Sequence, residues 1–528
     1  MQFKLSETGM LSSTSKAFVE RDQNLINILG ETHPYWHPEK AIQLKADFSQ
    51  DKRTVLADTL TSCYNAIAKQ EFVHPKVLEN IESLRNSNTY TVTTGQQLHL
   101  FIGPAFVIYK ILSVVHHCDK FAKQFPDKKF VPVYWMASED HDFDEIKSST
   151  LFKKTFVWQT ESGGACGRLK TDSVNDVIEA IKSEINLDER QLKLMDEMAQ
   201  IYNTSQNLSE ATRRIINKFF GEYGVIVMDG DLPVFKAQFK TVIKNDLFNN
   251  SNQEAFHEVS NQLEETGLST QLHGRLINLF YLNGNTRKRI VKENEHYLVK
   301  DGQENWTEEE LSLEVENHPE RFSPNAMLRP LYQETILPNI AYIGGNAEIT
   351  YWIQLHKTMS INGLTPPSLI LRPSVWITPS KITQWLEKRG ISPLKVLITR
   401  NKADLLNLIQ TESTGIEQET SDFIKLRERI QSIVAQNISK ELKGLVEAGK
   451  QYEKSLKGIE KSLIEVQIEK NSKEMDKLEE IRDTYLNINN IQERKMDSLE
   501  LLIKYETVVF SINSAVCLDN SNGWIINL

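Results

Sequence analysis

The chain is short of the features that make several functions easy to assign. Its four cysteines, Cys63, Cys118, Cys166 and Cys517, form no C-x-x-C pair, which offers neither a thiolate zinc site nor a disulfide framework and suits a reducing compartment. No apolar run approaches the ~18 residues of a membrane span, and the N-terminus has no secretory-signal pattern. The expectation is therefore a cytoplasmic protein with no membrane partner. Positive charge is not in excess: the formal net charge is −10 and the pI about 5.8, which argues against nucleic acid as the main partner. Internal repeats and low-complexity segments are absent as well.

What is present is a chain of 528 residues, 40% apolar and 25% charged, the composition of a globular protein of two or three domains. Residues 131–146, Val-Pro-Val-Tyr-Trp-Met-Ala-Ser-Glu-Asp-His-Asp-Phe-Asp-Glu-Ile, organise the reading. Their first half is short, apolar and β-rich, so 131–136 is a buried strand. Their second half carries Glu139, Asp140, His141, Asp142, Asp144 and Glu145, charge delivered to the carboxyl edge of a sheet, where open α/β folds bind ligands. Helix capping accounts for two or three of these acids, but not for six titratable groups around a histidine.

Around this stretch the pattern alternates between strands and helices. Residues 1–90 read mostly as helices, with 41–69 and 75–84 uninterrupted. Residues 90–94 are a strand, and a helix begins near Pro104, so strand, helix and strand make a βαβ unit of a parallel sheet. Residues 147–210 read as an insertion with a glycine-rich turn at 162–167, and 208–220 as a helix before a strand at 224–228. A small β insertion follows at 270–300, with turns at Asn283-Gly284 and Asp301-Gly302. Strands at 340–343 and 369–371 flank a helix at 347–357. The expected domains are an α/β core over 1–400 with insertions at about 147–210 and 260–320, a helical coiled-coil domain over 401–510, and a tail, 511–528, that returns to the core. In the helical part, Tyr452, Leu456, Ile459, Leu463 and Val466 follow the 4-3-4-3 spacing of a coiled-coil seam, as do Leu478, Ile481, Tyr485 and Ile488. Gly444, Gly449 and Gly458 are expected to break these helices.

Four constellations carry chemistry. In the first, Gly95, Gln96 and Gln97 follow a strand, with Gly103, Pro104 and Lys110 at the next helix; unpaired N–H groups there make an anion site, although the spacing is neither that of a P-loop nor G-x-G-x-x-G. A glycine needed only for the turn is the competing explanation. The second is the acidic cluster, with His141 as general base and Asp140 and Asp142 holding it. Glu139 and Asp144 are binding candidates, and a carboxylate-rich set also suits a divalent ion; no spaced set of metal ligands is identified. In the third, Asn325, Arg329 and Gln333 lie in Phe-Ser-Pro-Asn-Ala-Met-Leu-Arg-Pro-Leu-Tyr-Gln-Glu (322–334), where an arginine among apolar residues holds a carboxylate or phosphate, or pairs internally. In the fourth, Gly344, Gly345, Asn346 as N-cap, Glu348 and the later Arg372 stand at two further strand ends.

These segments together resemble a known family. Thr-Gly-Gln-Gln followed by Gly-Pro and a lysine, the 134–146 stretch, the 322–334 stretch and Tyr-Ile-Gly-Gly-Asn-Ala-Glu-Ile-Thr-Tyr-Trp (342–352) are similar, in the same order, to the bacillithiol biosynthesis cysteine-adding enzymes, BshC. Ile-Gln-Glu-Arg at 491–494 resembles a further motif of that family, while Leu98, His99 and Ile102 depart from its smaller or hydroxyl-bearing residues. The resemblance covers about 90–510. It implies a Rossmann-type parallel-sheet core like that of class I synthetases and nucleotidyltransferases, with connective insertions and a coiled-coil domain that makes a homodimer. It also implies a carbon–nitrogen bond-forming ligase that joins L-cysteine to glucosaminyl malate, with ATP activating the cysteine carboxylate. HIGH and KMSKS motifs are not recognisable; His356-Lys-Thr-Met-Ser360 is a faint echo. A nucleotidyltransferase acting on another metabolite and a coiled-coil scaffold with a ligand-binding Rossmann domain are the competing readings.

Overall fold

Five strands stand at the centre of the larger part of the molecule. The computed structural model describes residues 1–69, 71–409, 422, 425–426, 428–429, 432, 443–489, 491–504 and 522–527. Ser368–Leu371, Asn339–Gly344, Thr89–Gln96, Lys129–Met136 and Ile226–Asp229 lie side by side in that order, all parallel. The chain lays down the central strand Thr89–Gln96 first, adds two strands on one side, then crosses to add two on the other. The order therefore reverses between Thr89–Gln96 and Asn339–Gly344, and such a switch point opens a crevice at the carboxyl ends of the strands.

The local sequence explains the strands. Tyr-Thr-Val-Thr-Thr and Phe-Val-Pro-Val-Tyr-Trp are rich in β-branched and aromatic residues and buried on both faces, as parallel strands covered by helices must be. Thr91 and Thr93 donate to Asn339 Oδ1 (3.3 and 2.8 Å) and Thr94 to the Ile343 carbonyl (2.8 Å), which ties the first strand to its neighbour across the switch point. Tyr90, Val92, Val114, Phe121, Phe130, Ile340 and Ile370 form one core cluster; each such side chain contributes about 1.5–3 kcal/mol by burial. The first crossover is the helix Phe106–Gln124, which begins close to the expected start near Pro104. Leu208–Phe220 has the predicted bounds.

Several expectations need correction. The stretch 41–69 is not one helix: Pro38–Leu44 ends, and Gln50–Ala68 starts anew where Ser49 Oγ accepts from the Lys52 N–H (3.4 Å), a serine N-cap. Gly95 lies within the strand Thr89–Gln96, in register with Trp135, not in a turn. Asn346 is not the N-cap of Asn346–Gln354; Gly345 is, its N–H donating to Glu348 Oε2 (2.8 Å). Residues 356–360 belong to the helix His356–Ile361. The β insertion is an antiparallel sheet in the order Asn305–Trp306, His296–Val299, Thr286–Glu293, Leu279–Asn283 and Phe322–Pro324, so its last strand comes from the arginine-bearing stretch. A short strand near the start, Gln2–Lys4, pairs with residues 522–524 of the tail.

The described chain divides into two units, one comprising 2–375 and 493–524, the other 376–492 with residue 1 and 525–528. The helical unit thus begins well before residue 401, because Ser380–Glu387, Pro393–Ile398 and Lys402–Ile409 fold with the later helices; Arg389 pairs with Glu474 (3.1 Å) and Lys402 with Glu479 (2.8 Å). Gly444, Gly449 and Gly458 do not interrupt Lys443–Lys470; the break falls at Asn471, before Ser472–Tyr485. Leu478 and Ile481 are buried within this unit, whereas Ile459, Leu463 and Val466 are exposed, at 52%, 36% and 46%. The remainder of the expected coiled coil, between 410 and 442, lies largely outside the described residues, as does most of the tail.

Candidate functional site

At the switch point the larger unit holds a cavity of about 660 Å³, the size of a small-molecule site. Gly95 and Gln96 from the central strand and Gln97 just after it line it, with Trp135 and Met136 from the next strand and Ala137 just after it, Tyr342 from the strand across the switch, and Glu139, Asp140, His141, Glu145, Asn325, Arg329 and Glu348. Nine of the sequence-predicted residues therefore meet in one place. Gly103, Pro104, Lys110, Asp142, Asp144, Gln333, Gly344, Gly345, Asn346 and Arg372 do not line it.

The floor is open at Gly95. A Cβ there would point at the Trp135 carbonyl (3.4 Å), the Tyr342 hydroxyl (3.5 Å) and Arg329 Nη1 (3.6 Å), so the missing side chain leaves Arg329 accessible from the strand end. Beneath it, the buried Lys110 ammonium donates to the Gly95 carbonyl (2.6 Å) and to Gln96 Oε1 (3.3 Å), and pairs with Glu348 Oε2 (2.7 Å). Glu348 also accepts from the Tyr342 hydroxyl (2.6 Å). Burial alone would raise the Glu348 carboxyl, but the Lys110 ammonium, the Gly345 N–H and the Tyr342 hydroxyl hold it below its ordinary range. Glu348 therefore does more than compensate a helix dipole: it neutralises Lys110 and fixes Tyr342, which stacks on Trp352 (centroids 4.5 Å apart).

Arg329 is the cation left over. Its guanidinium donates to Gln333 Oε1 (3.0 Å), the Tyr351 hydroxyl (3.2 Å) and the Tyr342 hydroxyl (3.4 Å), all neutral groups, and among the described residues no carboxylate pairs with it. Arg372, in contrast, pairs with Glu493 Oε1 (2.7 Å) and packs over Phe106. The glutamate of the 491–494 motif thus neutralises a buried arginine at a strand end. Asn325 Oδ1 accepts from the N–H groups of Met327 (2.9 Å) and Leu328 (3.1 Å), a turn that leads into Arg329–Ile336 and sets where Arg329 emerges.

The opposite pole is acidic. The Gln97 amide donates to both Asp140 Oδ2 (2.8 Å) and Glu145 Oε2 (2.5 Å). Burial pulls the Asp140 carboxyl up, but hydrogen bonds, among them those from the His141 backbone N–H (2.8 Å) and the Gln97 amide (2.8 Å), and the Arg287 guanidinium outweigh it and hold Asp140 well below the usual carboxylate range. Glu139 is buried and paired with Lys236, whose ammonium also donates to the Phe322 carbonyl (2.6 Å). Asp142 turns back to cap the short helix Phe143–Ile146, accepting from the Glu145 N–H (3.3 Å), and Asp144 is exposed beside Lys147 (2.5 Å). The capping explanation therefore holds for Asp142, and Asp144 is a surface acid in the first turn. Gly103-Pro104 turns away as well: the Gly103 carbonyl accepts from the Ser498 N–H (2.7 Å) and Pro104 bridges to Asp497, a joint and not an anion site. Among the described residues, no group of three or more His, Cys, Asp or Glu side chains is spaced to hold a metal ion.

Sequence reasoning missed Arg287 and Phe280 from the β insertion and Trp135, Tyr342 and Tyr351 from the core. The last three lie inside motifs singled out above; an aromatic flanking a strand-end glycine was the available signal. Arg287 gave none, because only the pairing of its hairpin brings it to the site.

Fold and cavity define a doubly wound, Rossmann-type α/β protein with a small-molecule cavity at its switch point, divided into a cationic and an acidic pole. Comparison with known proteins gives the family. Residues 1–373 match "Bacillithiol biosynthesis BshC, N-terminal Rossmann-like domain" and residues 375–515 match "Bacillithiol biosynthesis BshC, C-terminal coiled-coil domain", and the chain belongs to the BshC family. A Flavobacterium psychrophilum protein named "Putative cysteine ligase BshC" is 34% identical over 464 residues, 86% of this chain and 85% of its own. Relatives with the same name from Cytophaga hutchinsonii and Flavobacterium johnsoniae are 35% identical (85% of this chain, 84% of theirs) and 32% identical (94% and 93%).

Proposed function

We propose that this chain is a ligase that joins the carboxyl group of L-cysteine to the amine of glucosaminyl malate, a cytoplasmic reaction that forms the amide of bacillithiol. The observation that carries the reading is the division of the cavity: Arg329, without a carboxylate partner among the described residues, faces the same space as Asp140 and Glu145. Both substrates carry an amine and at least one carboxylate, and such a cavity receives molecules that bear both charges. Arg329 holds a carboxylate or phosphate through its planar fork, and the acidic pole receives an ammonium group.

An amide does not form from a carboxylate and an ammonium ion without activation. In our reading a nucleoside triphosphate, ATP, supplies a phosphate leaving group on the cysteine carboxylate oxygen. The carboxylate oxygen attacks a phosphorus of the triphosphate and displaces the rest of the nucleotide or pyrophosphate, giving a mixed anhydride; the amine then attacks its carbonyl carbon, the phosphate departs with the C–O electron pair, and the amine gives up its proton towards the acidic pole. Of the cations at this sheet edge, Lys110 and Arg372 are matched by Glu348 and Glu493, so Arg329 is the residue that would meet an added anion.

The exposed Ile459, Leu463 and Val466 repeat at coiled-coil spacing on Lys443–Lys470, and a second copy of this chain is the partner that buries them in a homodimer. The test of the function is direct. Purified protein is incubated with L-cysteine, glucosaminyl malate and each nucleoside triphosphate in turn, and mass spectrometry looks for the amide. Absence of the amide with every nucleotide refutes the reading.

A further inference from the structure

His141 is flanked by two groups that compete for the same ring nitrogen. Nδ1 lies 2.9 Å from Arg287 Nη1 and 3.5 Å from Asp140 Oδ1. The first distance is that of a good hydrogen bond and the second is at its limit. A guanidinium has donors only, so at 2.9 Å the imidazole must accept, and Nδ1 carries a lone pair. A proton on Nδ1 would face an Arg287 N–H at 2.9 Å, and the one carboxylate oxygen near both groups, Asp140 Oδ1, lies 3.5 Å from Nδ1 and 3.9 Å from Arg287 Nη1, too far to take a good hydrogen bond from either. The neutral ring then holds its proton on Nε2.

Arg287 is itself firmly placed. It sits opposite Leu282 in the hairpin of Leu279–Asn283 and Thr286–Glu293, one step diagonal from Phe280, and stacks on that ring at 4.0 Å. Its Nε donates to Ser323 Oγ (2.9 Å) and Nη2 to the Pro324 carbonyl (2.9 Å). The hairpin tip is seated too: a Cβ on Gly163 would lie 2.4 Å from the Asn285 carbonyl oxygen, so the glycine-rich turn closes against it. The His141 ring leans on the same Phe280 (5.5 Å) and remains 47% exposed.

We infer that Arg287, from the β insertion, is a positioning residue that fixes His141 as the Nε2–H tautomer, so that His141 enters the reaction as a hydrogen-bond donor and not as the base. This rests on the ligase reading above. A neutral imidazole N–H serves such a role where a carbonyl or leaving oxygen gains negative charge. No proton is transferred to or from His141 in this step; the Nε2–H hydrogen bond shortens as charge develops on the oxygen.

The test uses the full-length protein and the amide-forming assay with four variants. Removing the partner that orients a site histidine costs about 10-fold to 100-fold in turnover, and that is the loss expected for Arg287→Met. Placed on a His141→Ala background, the same change should add less than about 2-fold, because its effect passes through the imidazole. His141→Gln, which donates but cannot act as a base, should retain at least about 10-fold more turnover than His141→Ala. If Arg287→Met costs the same factor in both backgrounds, or His141→Gln is as impaired as His141→Ala, the assignment is overturned. A measurement independent of activity separates this from failure of the ligase reading. In substrate-free protein labelled with 15N-histidine, the magic-angle-spinning signal that disappears in His141→Ala should show Nδ1 unprotonated and Nε2 protonated. A protonated Nδ1 overturns the inference even if the enzyme makes the amide; an unprotonated Nδ1 without amide formation leaves the contact standing and refutes the ligase reading alone.

Discussion

Replacing Arg329 with methionine should separate binding from stability, because the structure assigns opposite signs to the two effects. In the free protein the guanidinium makes three hydrogen bonds to neutral partners, Gln333, Tyr342 and Tyr351. Each contributes about 1 kcal/mol net. Against that stands the cost of holding a partly buried charge that no carboxylate pairs with among the described residues, which methionine removes. The two nearly cancel, so the midpoint of urea unfolding should imply a stability within about 1–2 kcal/mol of the wild type. A substrate anion held by the guanidinium adds charge-assisted bonds of about 1.5–3 kcal/mol, and every 1.4 kcal/mol is about tenfold. KM for the substrate whose anion sits there should rise about 10-fold to 100-fold, with a smaller change for the other substrate. Initial rates with cysteine, glucosaminyl malate and ATP varied in turn identify which one it is. Arg329→Lys keeps the charge but loses the fork and should fall between the two. If Arg329→Met unfolds several kcal/mol earlier while all three KM values stay within about 2-fold, the arginine is a structural group and the cationic pole is misassigned.

Three further outcomes are expected. His141→Ala should lower product formation at least about 100-fold in steady-state assays, the scale of a lost charge-stabilising donor; a loss under about 5-fold would remove His141 from the mechanism. Replacing Ile459, Leu463 and Val466 together with glutamate should convert a dimer to a monomer in light scattering at micromolar concentration, while a wild-type protein that is already monomeric refutes the proposed seam. Asp497 is buried, accepting from Ser149 Oγ (2.8 Å) and the Leu499 N–H (2.8 Å), and burial pushes its carboxyl up to about 7. The folded state therefore holds this proton more tightly than the unfolded chain. The stability Asp497 contributes is fully present below about pH 4 and is lost as pH rises through about 7. Asp497→Asn should flatten that part of the pH dependence in urea unfolding, and an unchanged slope between pH 4.5 and 7.5 would contradict it.

The strands of the core were legible because a parallel strand buried on both faces is rich in β-branched and aromatic residues, as 90–94 are throughout and 131–136 are apart from Pro132 and Met136. Helix Leu208–Phe220 was legible because Asn207 caps it, accepting from the Glu210 N–H (2.9 Å), and its apolar spacing runs unbroken. The acidic stretch was only half legible. Six titratable residues in seven positions announce a strand end, yet the backbone turn there sends Asp140, His141 and Glu145 to the cavity and leaves Asp142 and Asp144 to cap and to face water. Nothing in composition separates those fates; the direction of each side chain does. Arg287 was not legible at all. In Thr-Arg-Lys-Arg-Ile-Val-Lys-Glu (286–293) three basic residues stand in a row, and only the pairing of Arg287 with Leu282, fixed by the turn at Gly284, aims one of them at His141. A register shift of one residue would present Lys288 instead.

The charges at the sheet edge explain why the cavity keeps two poles. Lys110 with Glu348, Arg372 with Glu493 and Lys236 with Glu139 are pairs at or beside three strand ends, and in each the ammonium or guanidinium is buried. Such pairs add little net stability, because the desolvation of both charges offsets their attraction. What they do is fix geometry: each joins a strand end or its following loop to a different segment, and breaking any one leaves a buried charge uncompensated. With those cations neutralised, the cavity has Arg329 on one side, without a carboxylate partner among the described residues, and on the other Asp140 and Glu145, which share a single Gln97 amide, with the Arg287 guanidinium 3.9 Å from Asp140. Adding a carboxylate beside Arg329 would remove the attraction for an anion, and adding a cation between Asp140 and Glu145 would do the same for an amine. A site that must accept an amine and an acid together cannot be balanced in its free state, and the paired charges around it hold that imbalance in place.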